Sequence, residues 1–302
     1  MPDTQLLVDA HHHVWDLDVR PQHWLDEPGH GPIRRTLGTA DLRTAATATV
    51  AGRRLGRTVL VQCVTSVDET REFLALADSD PLVGAVVGWA DLTSPAIGDV
   101  LDALRAGPGG GHLRAVRHLV QGESDAAWLQ QPPVERGLRA VADRGLGYDL
   151  LIRSHQFAQA IHLAERLPGL PLVLDHAGKP PIAQQDLGDW ERGVRRLASH
   201  PQVRCKVSGL VTEADHEKWT VDDLRPVWEV LLAAFGPDRL MFGSDWPVCV
   251  LAGGWNRWAA AVEELLAGCS AAETEAVLAG TATAFYRLDL DPDQGKEGTP
   301  CS

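Results

Sequence analysis

The chain has 302 residues, with 28 Lys plus Arg against 41 Asp plus Glu and a formal net charge of −13. Its 44% hydrophobic and 23% charged residues are those of an ordinary globular protein. An acidic balance without clustered Lys and Arg excludes the electrostatic footprint of a nucleic-acid binder and offers anionic lipid no basic face.

No stretch approaches 18 uninterrupted apolar residues, so no membrane-spanning helix is expected. The start, Met1-Pro2-Asp3-Thr4-Gln5, lacks the basic and apolar regions of a signal peptide. The five cysteines are odd in number, widely spaced and without C-x-x-C, which leaves neither a zinc knuckle nor a thioredoxin-type motif. The expectation is a cytoplasmic protein without nucleic-acid or membrane partners, a homo-oligomer being left open.

In chain order, eight short runs rich in Val, Ile, Leu and Ala read as strands: 6–13, 58–64, 82–91, 113–120, 147–153, 171–178, 203–209 and 240–246. Each is apolar on both faces, as in a parallel sheet covered by helices. Between them lie helical patterns. Ser66-Val67-Asp68-Glu69 has the form of a capping box opening a helix towards Ala77. Ile97, Val100, Leu101 and Leu104 share one helical face, and Val134, Leu138 and Val141 form a stripe behind Pro133. Phe157, Ile161, Ala164 and Leu167 mark another helix, as do Leu187, Trp190, Val194 and Leu197. Residues 220–235 form a further one, and Ser270-Ala271-Ala272-Glu273 caps a last helix towards Tyr286.

Eight strands alternating with helices over about 250 residues predict an α/β protein built as a single (β/α)8 TIM barrel. The open doubly wound alternative lacks its G-x-G-x-x-G after an early strand. The expected organisation is a barrel over 1–288 and a loose tail over 289–302.

In such a barrel the chemistry gathers at the strand C-termini. Strand one ends Asp9-Ala10-His11-His12-His13, and its alternation puts His11 and His13 on one face with His12 turned away. Two imidazoles so placed could chelate one ion. Strand six ends Leu174-Asp175-His176-Ala177-Gly178-Lys179, adding His176 and the cation Lys179. Strand eight closes on Gly243-Ser244-Asp245-Trp246-Pro247, where the Asp245 carboxylate needs a cation, donors or a metal. Trp15, Trp89 and Trp246 follow three strand ends and read either as a stacking wall for a sugar ring or as packing. Cys63 and Cys249 have no neighbouring base and read as packing residues. Serine-elbow, H-E-x-x-H and Walker motifs are absent.

The segments DAHHHVWD from Asp9, RAVRHLVQ from Arg114, YDLLIR from Tyr148, VLDHAGKPPI from Val173, CKVSGLVTEAD from Cys205 and DRLMFGSDWPVC from Asp238 stand in a telling order. Together they resemble the amidohydrolase-related sugar lactonases, a group with L-fuconolactonase, L-rhamnonolactonase-like and 2-pyrone-4,6-dicarboxylate lactonase members. The resemblance implies that His11, His13, His176 and Asp245 form the core site and metal ligands, with Asp245 as general base. It implies that Arg117 and Lys179 hold lactone or carboxylate oxygens, Arg117 having a salt bridge inside the barrel as its alternative. Arg114, three residues earlier, is assigned to the opposite side of its strand. Arg153 ends strand five and reads as a substrate contact; His155, just beyond it, reads as a further ligand or, preferably, as a substrate contact at the pocket rim.

The implied reaction is hydrolysis of a sugar (aldonic acid) lactone by water that Asp245 activates. One divalent ion, zinc first, would assist, and metal-independent stabilisation by the same imidazoles and cations is the alternative. Two rivals remain: a zinc-dependent decarboxylase acting on an unsaturated carboxylic acid, and a non-catalytic sugar-binding barrel. The 17–37 segment, with Trp24 and His30, is expected to lie over the barrel mouth and to help choose the sugar.

Overall fold

Eight parallel strands stand side by side in sequence order: β1 Leu6–His12, β2 Arg54–Val61, β3 Val83–Gly88, β4 Leu113–His118, β5 Gly147–Leu150, β6 Leu172–Leu174, β7 Val203–Val207 and β8 Leu240–Phe242. The computed structural model of the protein describes residues 5–290. Past the end of β8 the chain meets β1: Asp245 N donates to His11 O at 2.8 Å, and His13 N donates to Trp246 O at 2.7 Å. These bonds bring the two edges of the sheet together, as the (β/α)8 reading requires. All eight predicted strands are present, seven with tighter bounds and β2 starting four residues earlier than predicted, at Arg54. Beyond Leu290, the predicted tail lies outside the described residues.

Helices α1 Thr39–Ala45, α2 Val67–Ser79, α3 Ile97–Ala106, α4 Pro132–Asp143, α5 Phe157–Arg166, α6 Gly188–Ala198, α7 Val221–Phe235 and α8 Gly254–Leu265 cover the outside. Their predicted stripes are their buried faces; in α3, for example, Ile97, Leu101 and Leu104 face the sheet. Helices α1 and α8 are absent from the predicted set, although Trp255, Trp258, Ala259, Val262 and Leu265 give α8 a buried stripe of helical period. No helix among the described residues is long and apolar enough to cross a membrane.

One cap and one helix differ from expectation. Ser66 Oγ accepts from Glu69 N at 3.3 Å, but the Glu69 carboxylate does not return to the cap. It accepts instead from Cys63 N (2.8 Å) and Val64 N (3.1 Å), tying α2 to the end of β2. Ser270 and Glu273 do make the reciprocal box, yet the helix they open is broken. It runs as α9 Ala271–Glu275, a π-helical turn Ala276–Gly280, and α10 Thr281–Tyr286.

That last segment closes the lower end of the barrel. Val8, Val59, Ala85, Ala115, Val173 and Met241 point inward from their strands and pack against Ala279, Ala282 and Tyr286. Inward residues two positions further along, Arg117 beyond Ala115 and Asp175 beyond Val173, are polar. The barrel therefore changes from an apolar plug below to a charged layer above, and the charged layer floors the site.

Candidate active site

His11 occupies the centre of that layer. Its Nδ1 lies 3.2 Å from Lys206 Nζ and 3.4 Å from Asp175 Oδ1. Its Nε2 lies 3.2 Å from His13 Nε2 and 3.3 Å from Arg117 Nη1. Arg117 also donates from Nη1 to Asp175 Oδ2 (3.0 Å) and from Nη2 to the Gln62 carbonyl (2.5 Å). Lys206 is fully buried and reaches Asp149 Oδ2 at 2.5 Å and Asp175 Oδ1 at 3.0 Å. Tyr286 donates to Asp149 Oδ2 from below at 3.0 Å. Each buried charge thus has an opposite charge beside it, which such burial demands. Burial, then the Lys206 charge, holds His11 well below the usual imidazole range, so its ring is neutral.

Above this floor sits Asp245. Its Oδ1 is 3.6 Å from His13 Nε2, 3.8 Å from His11 Nε2 and 3.9 Å from His176 Nε2. Burial raises the Asp245 carboxyl, but His176, His13 and Lys179 more than offset it and hold it below the ordinary carboxylate range. Local backbone geometry aims this side chain. Asp245 has φ +56, an uncommon conformation for a non-glycine residue. Its neighbour Ser244 anchors it: Ser244 N and Oγ donate to Asp9 at 2.8 and 2.5 Å, and Trp246 N donates to Ser244 Oγ at 3.0 Å. Asp9 is buried, and burial pushes its pKa up to about 6.

His176 and Lys179 come from a second strained turn. His176, Ala177, Gly178 and Lys179 all have φ between +51 and +71, one continuous left-handed stretch. Left-handed residues other than glycine cost roughly 1–2 kcal/mol each, so packing must hold them. Trp190 Nε1 donates to Ala177 O at 2.7 Å, and His176 Nδ1 lies 3.0 Å from Ser208 Oγ. Burial, opposed by Asp245 and Asp175, brings the His176 pKa down to about 4. Lys179 Nζ pairs with Glu213 Oε1 at 2.6 Å.

The site opens into a cavity of about 480 Å³, lined by His13, Arg117, His176, Lys179 and Asp245 below and by Trp24, Glu27, His30 and Arg153 towards the rim. This volume suits one small organic ligand.

Residues 8–288 match the amidohydrolase family model. The chain belongs to the amidohydrolase family. Along nearly its whole length this amidohydrolase is similar to L-fucono-1,5-lactonase of Burkholderia multivorans, 37% identical with 95% of this chain and 98% of that protein covered. The L-fucono-1,5-lactonase of Burkholderia ambifaria is 34% identical, with 93% and 96% covered. A crystal structure of an amidohydrolase from Burkholderia multivorans with bound zinc superimposes with a TM-score of 0.87 at 35% identity, covering 94% of this chain and 100% of that one.

The amidohydrolase barrel brings His13, His176, Asp245, Arg117 and Lys179 together on one cavity floor, with His11 fully buried directly beneath them and Arg153 exposed at the cavity edge. Arg117 both faces the cavity and makes the internal salt bridge to Asp175. Arg114 is half-buried beside Arg105 and Arg287, away from the site. His12 turns aside to Thr58 Oγ1 at 2.9 Å. His155 is exposed on the turn after β5, outside the cavity lining. Trp15, Trp89 and Trp246 do not line the cavity either. Trp15 donates to Arg35 O at 2.8 Å, Trp89 donates to His118 Nδ1 at 3.1 Å, and Trp246 is buried beneath the seam. Packing is the role their surroundings support, and Trp24 supplies the aromatic surface instead. Lys206, Asp149, Ser208, Ser244 and Glu213 escape sequence reading. Lys206 was the one available signal: with Arg204 it occupies alternate positions of β7, and a lysine turned into the barrel needs buried carboxylates.

A metal ion would find ligands here. His13 Nδ1 is 2.7 Å from Val61 O, a carbonyl that can only accept, so Nδ1 carries the proton and Nε2 a lone pair. His11, His13 and Asp245 offer ligand atoms within 4.8 Å of one another, three protein ligands of the kind open catalytic sites use. His176 does not join this triad; it groups with His11 and Asp175.

Proposed function

We propose that this amidohydrolase hydrolyses a sugar lactone. The observation that carries the reading is the Asp245 carboxylate, held ionised over three imidazoles at the floor of a ligand-sized cavity. The whole-length likeness to L-fucono-1,5-lactonases supports an aldono-1,5-lactone as the substrate class.

Asp245 accepts a proton from water as the oxygen attacks the ring carbonyl. Charge then develops on the former carbonyl oxygen, where Lys179 and Arg117 lie within the same cavity to stabilise it. Collapse breaks the ring C–O bond, and Asp245 returns the proton to the departing alkoxide. Lactone plus water gives one hydroxy acid, which ionises and releases a proton to solvent. His11, His13 and Asp245 would hold a divalent ion, zinc first, while His176 groups with His11 and Asp175. When bound, such an ion supplies Lewis acidity to the carbonyl and lowers the pKa of water. The reading includes a cytoplasmic location, in keeping with four free thiols among the described residues.

A pH-indicator screen of L- and D-aldonolactones tests this reading. Proton release faster than the spontaneous opening is the expected result. Carbon dioxide release from unsaturated acids with no lactone turnover would favour a decarboxylase, and binding without turnover a sugar-binding barrel.

A further inference from the structure

The loop between Trp15 and Leu37 is tied at its base by two backbone bonds: Trp15 N donates to Leu37 O (3.0 Å) and Leu37 N to Trp15 O (2.9 Å). Thr36 Oγ1 donates to Asp16 Oδ1 at 3.1 Å across the same neck. Within the loop, Trp24 packs edge-on against Trp15 at 5.3 Å and donates from Nε1 to Gln22 Oε1 at 2.9 Å. Gln22 is buried and bonds the Glu69 carboxylate, which is fastened to the end of β2 through Cys63 N and Val64 N. An unbroken series of bonds therefore runs from the loop to the barrel. The loop is a fixed wall of the cavity.

Its tip is Glu27-Pro28-Gly29-His30. His30 N donates to Glu27 O at 3.3 Å, proline stands second, and Gly29 has φ +96. Proline followed by a positive-φ glycine is the signature of a type II turn. It sets Glu27 and His30 at its two ends, and both line the cavity beside Trp24. The His30 Nδ1 lies 2.9 Å from Trp24 O, which can only accept, so its Nε2 is an acceptor in the neutral ring. The Glu27 carboxylate has no hydrogen bond or ion pair among the described residues.

We propose that this turn reads the hydroxyl groups of a neutral, polyhydroxylated lactone, through two acceptors, the Glu27 carboxylate and His30 Nε2, beside the Trp24 ring. Acceptors alone select a ligand rich in O–H donors, and the Trp24 ring suits the C–H face of a saturated ring. At this turn a carboxylate in place of a hydroxyl would meet the Glu27 charge, whereas Arg117 and Lys179 supply positive charge only at the cavity floor. The inference rests on the lactonase reading and adds the residues that select its substrate.

Two measurements on Glu27→Ala test it. Calorimetric binding uses a polyhydroxylated δ-lactam and unsubstituted δ-valerolactam, and turnover uses an aldono-1,5-lactone and δ-valerolactone. The variant is expected to weaken lactam binding and lower kcat/KM for the hydroxylated lactone, each by roughly 10–100-fold. The unsubstituted compounds should change less than about twofold, and Glu27→Gln should recover part of the loss. Equal binding of the hydroxylated lactam by wild type and Glu27→Ala overturns the inference. So does a parallel loss with both classes, or failure of wild type to bind that lactam. Binding that depends on Glu27 in a protein that opens no lactone leaves the substrate class standing and removes the catalytic reading alone.

Discussion

Lys206 and Asp175 form an ion pair of 3.0 Å, both fully buried, directly beneath His11. Lys206 also compensates Asp149, so removing it strands two carboxylates below the site. Lys206→Met should destabilise the protein by roughly 3–5 kcal/mol, the cost of an uncompensated buried charge. Urea unfolding measures this. A loss below about 1 kcal/mol would mean that Arg117 and Tyr286 suffice for the two carboxylates.

Gly209 bears on the orientation of His176. It has φ +63, and a Cβ there would lie 2.6 Å from His176 Nδ1. Gly209→Ala should push the ring off Ser208 and lower kcat/KM on the order of 10²-fold, as expected for a misplaced group in an active site. Steady-state kinetics alongside a melting curve separates this from unfolding. Unchanged turnover would show that the orientation of His176 matters little.

How much of this was legible in the sequence follows from what each signal depends on. The eight strands were readable because apolar runs and turn residues are local. His11 and His13 were readable together because strand alternation fixes which side chains share a face. Asp245 and His176 were placed by their strand ends, but their approach depends on left-handed backbone at each, which local propensity does not announce. For the tryptophans after strands one, three and eight, the sequence left stacking wall and packing open, because a strand end is not yet a cavity wall. Trp15 supports the loop that carries Trp24, and the loop path is set by contacts across 20 residues. Lys206 and Glu213 matter only through partners on other strands and turns, a relationship that a single sequence does not display.

The pH dependence of stability has a definite sign at His12. Burial, then the charge of His13, brings its pKa from 6.5 down to about 3, and it stays neutral in the fold. In the unfolded chain it takes up a proton below 6.5. Its contribution is therefore complete above pH 6.5 and is lost as pH falls towards 3, reaching about 2 kcal/mol of lost stability at pH 5. Urea midpoints of wild type and His12→Gln at pH 7 and pH 5 check this. The wild type should lose more than the variant on acidification, and parallel losses would contradict the assignment.

Metal content tests the ligand set independently of turnover. Purified protein loaded with zinc and dialysed should retain about one ion per chain. His13→Ala should lose most of it, whereas His155→Ala, altering an exposed side chain outside the cavity, should keep it. Equal retention by wild type and His13→Ala would remove His13 from the ligands.

The central claim concerns Asp245. Hydrolysis of an aldono-1,5-lactone by Asp245→Asn, with folding and metal content measured on the same sample, tests it most directly. A fall in kcat/KM of roughly 10²–10⁴-fold, the usual contribution of a general base, is predicted. Hydrolysis by the variant at the wild-type rate would contradict it.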